Sequence, residues 1–242
     1  MIYFILSLLA TTLGAMVGVG GGIIIRPVLA ALSVAKGLAS FTSALAVLVM
    51  AIVTTVNYKR KGAKLDLRGN MPVAVGSVAG GFMGGSLMTM VSTQVINVAL
   101  VCALVLVIII VMFRDKMPRI KVKNTGLAMF IGLCTGALSG FFGIGGGPFQ
   151  VAALMLFFSL SARDAAASSI LITLCTTASS LIRYTISGYA DFSLAIYMVP
   201  AAVIGGLLGS QINRKLSDHQ TSVIFAITII GIIALQMWTI TG

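Results

Sequence analysis

The sequence predicts an all-α integral membrane protein made of two homologous repeats, each with one glycine-broken, re-entrant helical segment and three transmembrane helices. Three observations carry that expectation. Of 242 residues, 59% are hydrophobic and only 9% charged, whereas a soluble domain carries roughly a quarter of its residues as charges. The few charges fall in short clusters between apolar runs long enough to span a bilayer, for which about 20 residues suffice. Glycine-rich landmarks in the first half recur in the second at a nearly constant offset.

The charge balance is lopsided: 16 Lys and Arg stand against 5 acids, all of them Asp. Too little polar surface exists to cover a water-soluble globule, which excludes soluble enzymes and soluble binding modules. The cations sit in loops rather than on a phosphate-tracking face, so no nucleic-acid partner is expected. Cys102, Cys134 and Cys175 stand singly in apolar runs and read as small packing residues, not as a disulfide or metal set. The first run opens Met1-Ile2-Tyr3-Phe4 without a basic leader, so it is expected to remain in the mature chain.

Measured between charges, the elements follow in order. One span lies between Lys36 and Lys59. The uncharged stretch Gly69–Phe113 holds two, divided at Ser92-Thr93-Gln94. Single spans lie between Asp164 and Arg183, between Asp191 and Arg214, and from His219 onward, the last with Trp238 as an interfacial anchor. That makes six ordinary helices. The remaining apolar stretches, 1–34 and 124–162, are each interrupted by glycine: Gly18-Val19-Gly20-Gly21-Gly22 and Gly143-Ile144-Gly145-Gly146-Gly147-Pro148. Each glycine costs a helix interior about 1 kcal/mol relative to alanine, and proline has no N–H to donate. Three glycines in a row should end the helix. Open backbone survives in a bilayer only when buried in protein or lining a wet cavity.

The two breaks are copies at offset 125. Thr42-Ser43 lies opposite Ser168-Ser169, Asn57-Tyr58 opposite Arg183-Tyr184, and Gly62 opposite Gly188, all at 126. Gly80-Gly81-Phe82-Met83-Gly84 lies opposite Gly205-Gly206-Leu207-Leu208-Gly209 at 125. The expected organisation is repeat 1 over 1–117, a basic linker at 118–123 and repeat 2 over 124–242. The linker belongs to a basic run that begins at Arg114.

The basic loop with Lys59, Arg60, Lys61, Lys64 and Arg68 and the run with Arg114, Lys116, Arg119, Lys121 and Lys123 are separated by two spans. They share a side, the cytoplasmic one by the positive-inside rule. Single crossings of the glycine segments would give parallel repeats. Hairpins would give inverted repeats, and they place more cations inside by adding Arg163, Arg214 and Lys215. The second arms, Ile23–Val34 and Phe149–Ser161, are also too short to span, so hairpins and extracytoplasmic termini are expected.

Paired broken segments in matching halves are the best sequence pointer to a transport site. Consecutive free N–H groups form an anion-binding nest, and each second arm would turn its positive end towards the break. All five Asp residues map to segment ends, which leaves nothing in the spans to neutralise a cation or relay a proton. The candidate substrate-binding residues are Gly20, Gly21, Gly22, Gly145, Gly146 and Gly147, with Arg26, Thr42, Ser43, Gln150, Ser168 and Ser169 around them. Arg26 has two readings, a buried counter-charge or a side chain that snorkels to the interface. The serines and threonines could equally bond back to their own helices. Glycines spaced by four, as at Gly76, Gly80 and Gly84, Gly132, Gly136 and Gly140, and Gly205 and Gly209, read as close helix packing. Asn57 and Arg183 read as interface residues, and Tyr58 and Tyr184 as belt residues.

The pattern Gly-Val-Gly-Gly-Gly-x-x-x-x-Pro-x-Leu at 18–29, its copy at 143–154 and the Thr-Ser and Ser-Ser pairs resemble the TauE/SafE family over nearly the whole chain. These are sulfite and organosulfonate exporters related to toluene sulfonate uptake permeases. The second copy departs from the pattern, with Pro148 directly after the glycines and Ala152 in the place of Pro27. The resemblance implies a multi-pass protein of the bacterial inner membrane. It would be a secondary transporter, not an enzyme, exporting sulfite or short organosulfonates without a cofactor or metal. Its partners would be a small anion and the lipid bilayer, with a homodimer left open. A small-anion channel, or a transporter for another small organic anion, is the alternative.

Overall fold

The computed structural model describes residues 1–61, 67–113 and 121–241, the side chains of 67–69 and 239–241 aside. Much of the predicted basic loop and of the 114–123 run, including Lys64, Arg114, Lys116 and Arg119 and the side chain of Arg68, therefore lies outside the described residues. The described chain is all helix: α1 (Ile2–Val17), α2 (Gly22–Ala31), α3 (Lys36–Arg60), α4 (Leu67–Met90), α5 (Thr93–Phe113), α6 (Thr125–Phe142), α7 (Gly147–Phe157), α8 (Ala162–Ile186), α9 (Ala195–Asn213) and α10 (Asp218–Thr241). Local chemistry sets the ends. Asn124 caps α6 by accepting from the Gly126 and Leu127 N–H groups, and Ser161 caps α8 by accepting from Asp164 N–H. α1 and α6 both stop at a left-handed glycine, Gly18 (φ 78°) and Gly143 (φ 64°), the conformation glycine adopts most readily.

The six expected spans are α3, α4, α5, α8, α9 and α10. α6 is a seventh helix long and apolar enough to cross a membrane, but the chain then turns back. Val122 N–H donates to Phe157 O at 2.9 Å, so α7 ends beside the start of α6 and the pair enters and leaves at one end. α1 and α2 do the same at the other end. α1 runs parallel to α9, with Ser7 Oγ donating to Met198 O and Asn213 Nδ2 donating to Met16 O. α9 in turn runs parallel to α3, through Asn57 to Ser210 and Tyr58 to Asn213. α2 ends only a few residues before α3 begins, which returns it to the end where α1 started. Both broken segments are re-entrant hairpins, entering from opposite ends.

The glycines spaced by four pack helices, as their spacing indicated. Gly76, Gly80 and Gly84 of α4 lie against the backbone at Met129, Leu133 and Ala137 of α6, while Gly205 and Gly209 of α9 lie against α1. A Cβ at any of these would strike a neighbour's backbone or side chain. α5 and α10 lie outermost and turn Leu106, Ile109, Met112, Ile227 and Ile230 outward, a belt suited to lipid and not to water.

Three expectations are corrected. Tyr58 and Tyr184 are buried, not belt residues: Tyr58 Oη donates to Asn213 Oδ1 at 3.0 Å and Tyr184 Oη to Gly140 O at 2.5 Å. Both phenols fall on the packed faces of α3 and α8, whose other faces turn Ile52, Val56, Ile182 and Ile186 outward. Asn57 is buried as well, bonded to Ser210. Cys102 and Cys134 face outward instead of filling the interior, and Cys175 is half-buried, since a small apolar side chain is equally at home against lipid.

Candidate substrate-binding site

Two buried helices, α3 and α8, frame the region where the hairpin tips cross. Gly20 lies against the side chains of Val47 and Thr173, and Gly145 against Val47 and Thr177. Val47 and Thr173 are each the twelfth residue of a 25-residue helix, so the crossing sits near the middle of the molecule. The breaks touch backbone to backbone: Gly22 faces the Ile144 carbonyl and Gly147 faces Val19, with no room for a Cβ at either. Gly20, Gly143, Gly145 and Gly146 hold positive φ, up to 104° at Gly146, where a side chain would be strained.

The predicted shell divides by what each group does. Ser43 Oγ donates to Gly22 O at 3.4 Å and Ser169 Oγ to Gly18 O at 2.9 Å, so both hydroxyls brace the first break. Gln150, in the first turn of α7 and fully buried, donates through Nε2 to Thr176 Oγ1 (2.8 Å) and accepts at Oε1 from Thr173 Oγ1 (2.7 Å). Thr42 is buried and its hydroxyl has no partner among the described residues. Ser168 is buried too, with no hydrogen bond linking it to a break among those residues.

Arg26 does not snorkel. It is 2% exposed, its Nε donates to Ser40 Oγ at 3.3 Å, and its Cδ lies against Gly143 at the tip of the other hairpin. Its Nη1 has no hydrogen-bond partner among the described residues. The described Asp residues lie at helix ends: Asp164 and Asp218 in the first turns of α8 and α10, and Asp191 between α8 and α9.

Sequence reasoning missed Ser40, Thr173, Thr176 and Thr177, the last of which donates to Gly145 O at 3.1 Å. The signal was present. Ser169, Thr173, Thr176, Thr177 and Ser180 recur at helical spacing along one buried stripe of α8, and a polar stripe on a membrane helix marks the side turned away from lipid.

Residues 3–237 match the family described as sulfite exporter TauE/SafE. The chain belongs to that family. It is 28% identical to the probable membrane transporter protein YunE of Bacillus subtilis, over 95% of this chain and 94% of that one. It is 27% identical to a probable membrane transporter protein of Xylella fastidiosa, over 92% and 89%. The probable membrane transporter protein MJ0441 of Methanocaldococcus jannaschii is 23% identical over 96% and 93%. No solved structure matches the chain. Like other TauE/SafE proteins, it is a multi-pass protein of the cell membrane, and its relatives carry transporters' names, not enzymes'.

Proposed function

We propose that this TauE/SafE protein is a secondary transporter that moves small sulfur-containing anions, sulfite or a short organosulfonate, outward. Arg26 carries the reading: a guanidinium buried among helices, its Nε on the Ser40 hydroxyl and its Nη1 without a hydrogen-bond partner among the described residues. Burying an unpaired charge costs several kcal/mol, and an anion arriving at the crossing offsets that cost. Open N–H groups at the hairpin tips, the Gln150 amide and the Thr42 hydroxyl then donate to the remaining oxygens, within a backbone shape braced by Ser43 and Ser169. A pyramidal or tetrahedral oxyanion head accepts several such donors at once. Contact between the two glycine breaks favours a carrier with alternating access over an open anion pore.

The two sets of five helices, α1–α5 and α6–α10, are read as inverted repeats, 1–117 and 124–242. The matching element order and the near-constant offset support this. The end bearing Lys59, Arg60, Lys61, Lys121, Lys123, Arg163, Arg214 and Lys215 is read as cytoplasmic. The test is a stabilisation panel of sulfite, sulfate, thiosulfate, sulfonates and carboxylates on the purified protein, since a ligand of the folded state raises apparent stability by mass action. Sulfur oxyanions are expected to raise the melting temperature. Stabilisation by carboxylates alone would instead support the alternative of another small organic anion.

A further inference from the structure

The two glycine breaks, alike in sequence, differ in what they leave open. In the first, Gly20 N–H turns to Gly14 O and Gly22 N–H to Gly20 O, which leaves the adjacent N–H groups of Gly18 and Val19, and that of Gly21 alone, without a partner among the described residues. In the second, the N–H groups of Gly145, Gly146 and Gly147, and that of Phe149 beyond, have no partner among the described residues. The three glycine N–H groups are consecutive and, past Pro148, which has none, lead into the first turn of α7, where the helix dipole adds to them. The side chains divide in the same way. Three residues past Gly147 stands Gln150, its Nε2 lying against Gly146 and its amide held by Thr173 and Thr176. Three residues past Gly22 stands Ile25, buried and apolar. The flanking hydroxyls treat the breaks alike: Thr177 directs its proton to Gly145 O of the second, as Ser43 and Ser169 direct theirs to Gly22 O and Gly18 O of the first. Independently of this, Arg26 has an Nη1 without a partner among the described residues, and its stem reaches Gly143 at the tip of the second hairpin.

We infer that the breaks are not equivalent: the oxyanion binds at the second, on the Gly145–Gly147 N–H run and the Gln150 amide, with Arg26 of the first hairpin as its counter-charge. The first break is a structural wedge that holds Arg26 and closes through Gly22 and Val19 against Ile144 and Gly147 of the second. This rests on the anion-transport reading above and assigns the chemistry within it to one of two look-alike sites. Gln150 is then the residue that separates oxyanions from anions unable to accept a second hydrogen bond.

The experiment is calorimetric titration of sodium sulfite into the purified full-length protein, comparing wild type with Gln150→Leu, Gln150→Glu and Ile25→Ala, alongside melting temperatures. Both Gln150 variants are expected to lose about tenfold or more in affinity, the size of one hydrogen bond to a charged group. Gln150→Glu is nearly isosteric and keeps the test alive if Gln150→Leu fails to fold. Ile25→Ala should lower the melting temperature yet keep the sulfite affinity within about twofold, because its packing loss falls on the fold. Folded Gln150 variants that bind like wild type would overturn the inference, as would an Ile25→Ala variant that loses as much affinity as they do. Neither outcome touches the anion reading. A folded wild type that binds no sulfur oxyanion would overturn both.

Discussion

The Arg26 guanidinium, 2% exposed and bonded to the Ser40 hydroxyl, carries a charge that no carboxylate among the described residues neutralises. If it is the substrate's counter-charge, Arg26→Gln should weaken sulfite binding by about tenfold to a hundredfold, the loss expected for a charge-assisted pair. Removing an unpaired buried charge should also leave the protein no less stable in the absence of ligand. Calorimetry and thermal melting of the same variant check both halves. At the other end of α3, the buried chain from Tyr58 through Asn213 to Met16 O ties α3 and α9 to the first hairpin. Tyr58→Phe should cost about 1 kcal/mol, and Asn213→Leu more, since it leaves Tyr58 Oη and Met16 O without their partner. Both losses would appear in melting temperature, not in sulfite affinity. Arg26 illustrates a limit of the sequence: the residues alone allowed a snorkelling arginine as readily as a buried one. The choice depended on Gly143, 117 positions away, coming to lie against its stem. The belt reading of Tyr58 and Tyr184 failed for the same reason, since the faces of α3 and α8 that carry them are covered by neighbours that no local pattern names.

Elements were far more legible. Charges at run ends and a glycine triplet inside a run are local, and they located the six ordinary spans to within a few residues and the start of each break to the residue, while α2 and α7 begin one and two residues inside the expected breaks. The re-entrant turn followed from a length argument about the second arms, and the Val122 to Phe157 hydrogen bond closes one hairpin as that argument required. The polar stripe on α8 went unread because serine and threonine so often bond back to their own helix, as Thr176 does to Ile172 O. Two kinds of glycine now make different predictions. Gly21→Val and Gly146→Val should abolish transport while much of the protein still inserts. Gly146 sits at φ 104°, which a β-branched residue cannot adopt without strain, and a side chain at Gly21 would press on Thr11. Gly80→Leu, by contrast, should separate α4 from α6 and lower the yield of folded protein, since Gly80 lies directly against Leu133 O. Flux assays paired with size-exclusion profiles distinguish the two outcomes.

For the whole molecule, entry of the hairpins from opposite ends requires an odd number of crossings between the start of α1 and the start of α6. It also places both termini at the end away from the Lys59–Lys61 cluster. Cysteine labelling at both termini in intact cells should find them extracytoplasmic; labelling only from the cytoplasm would reverse the orientation drawn from the positive-inside rule. Charge selection is set by the interior: the middle of this molecule offers donors and one arginine, and its described carboxylates lie at helix ends. It should therefore move anions and not cations. The most direct measurement is flux into proteoliposomes of the purified protein, comparing sulfite with an amine of similar size. Saturable sulfite flux, with none of the amine above empty liposomes, is the predicted result. Saturable amine flux with no flux of any sulfur oxyanion would contradict it.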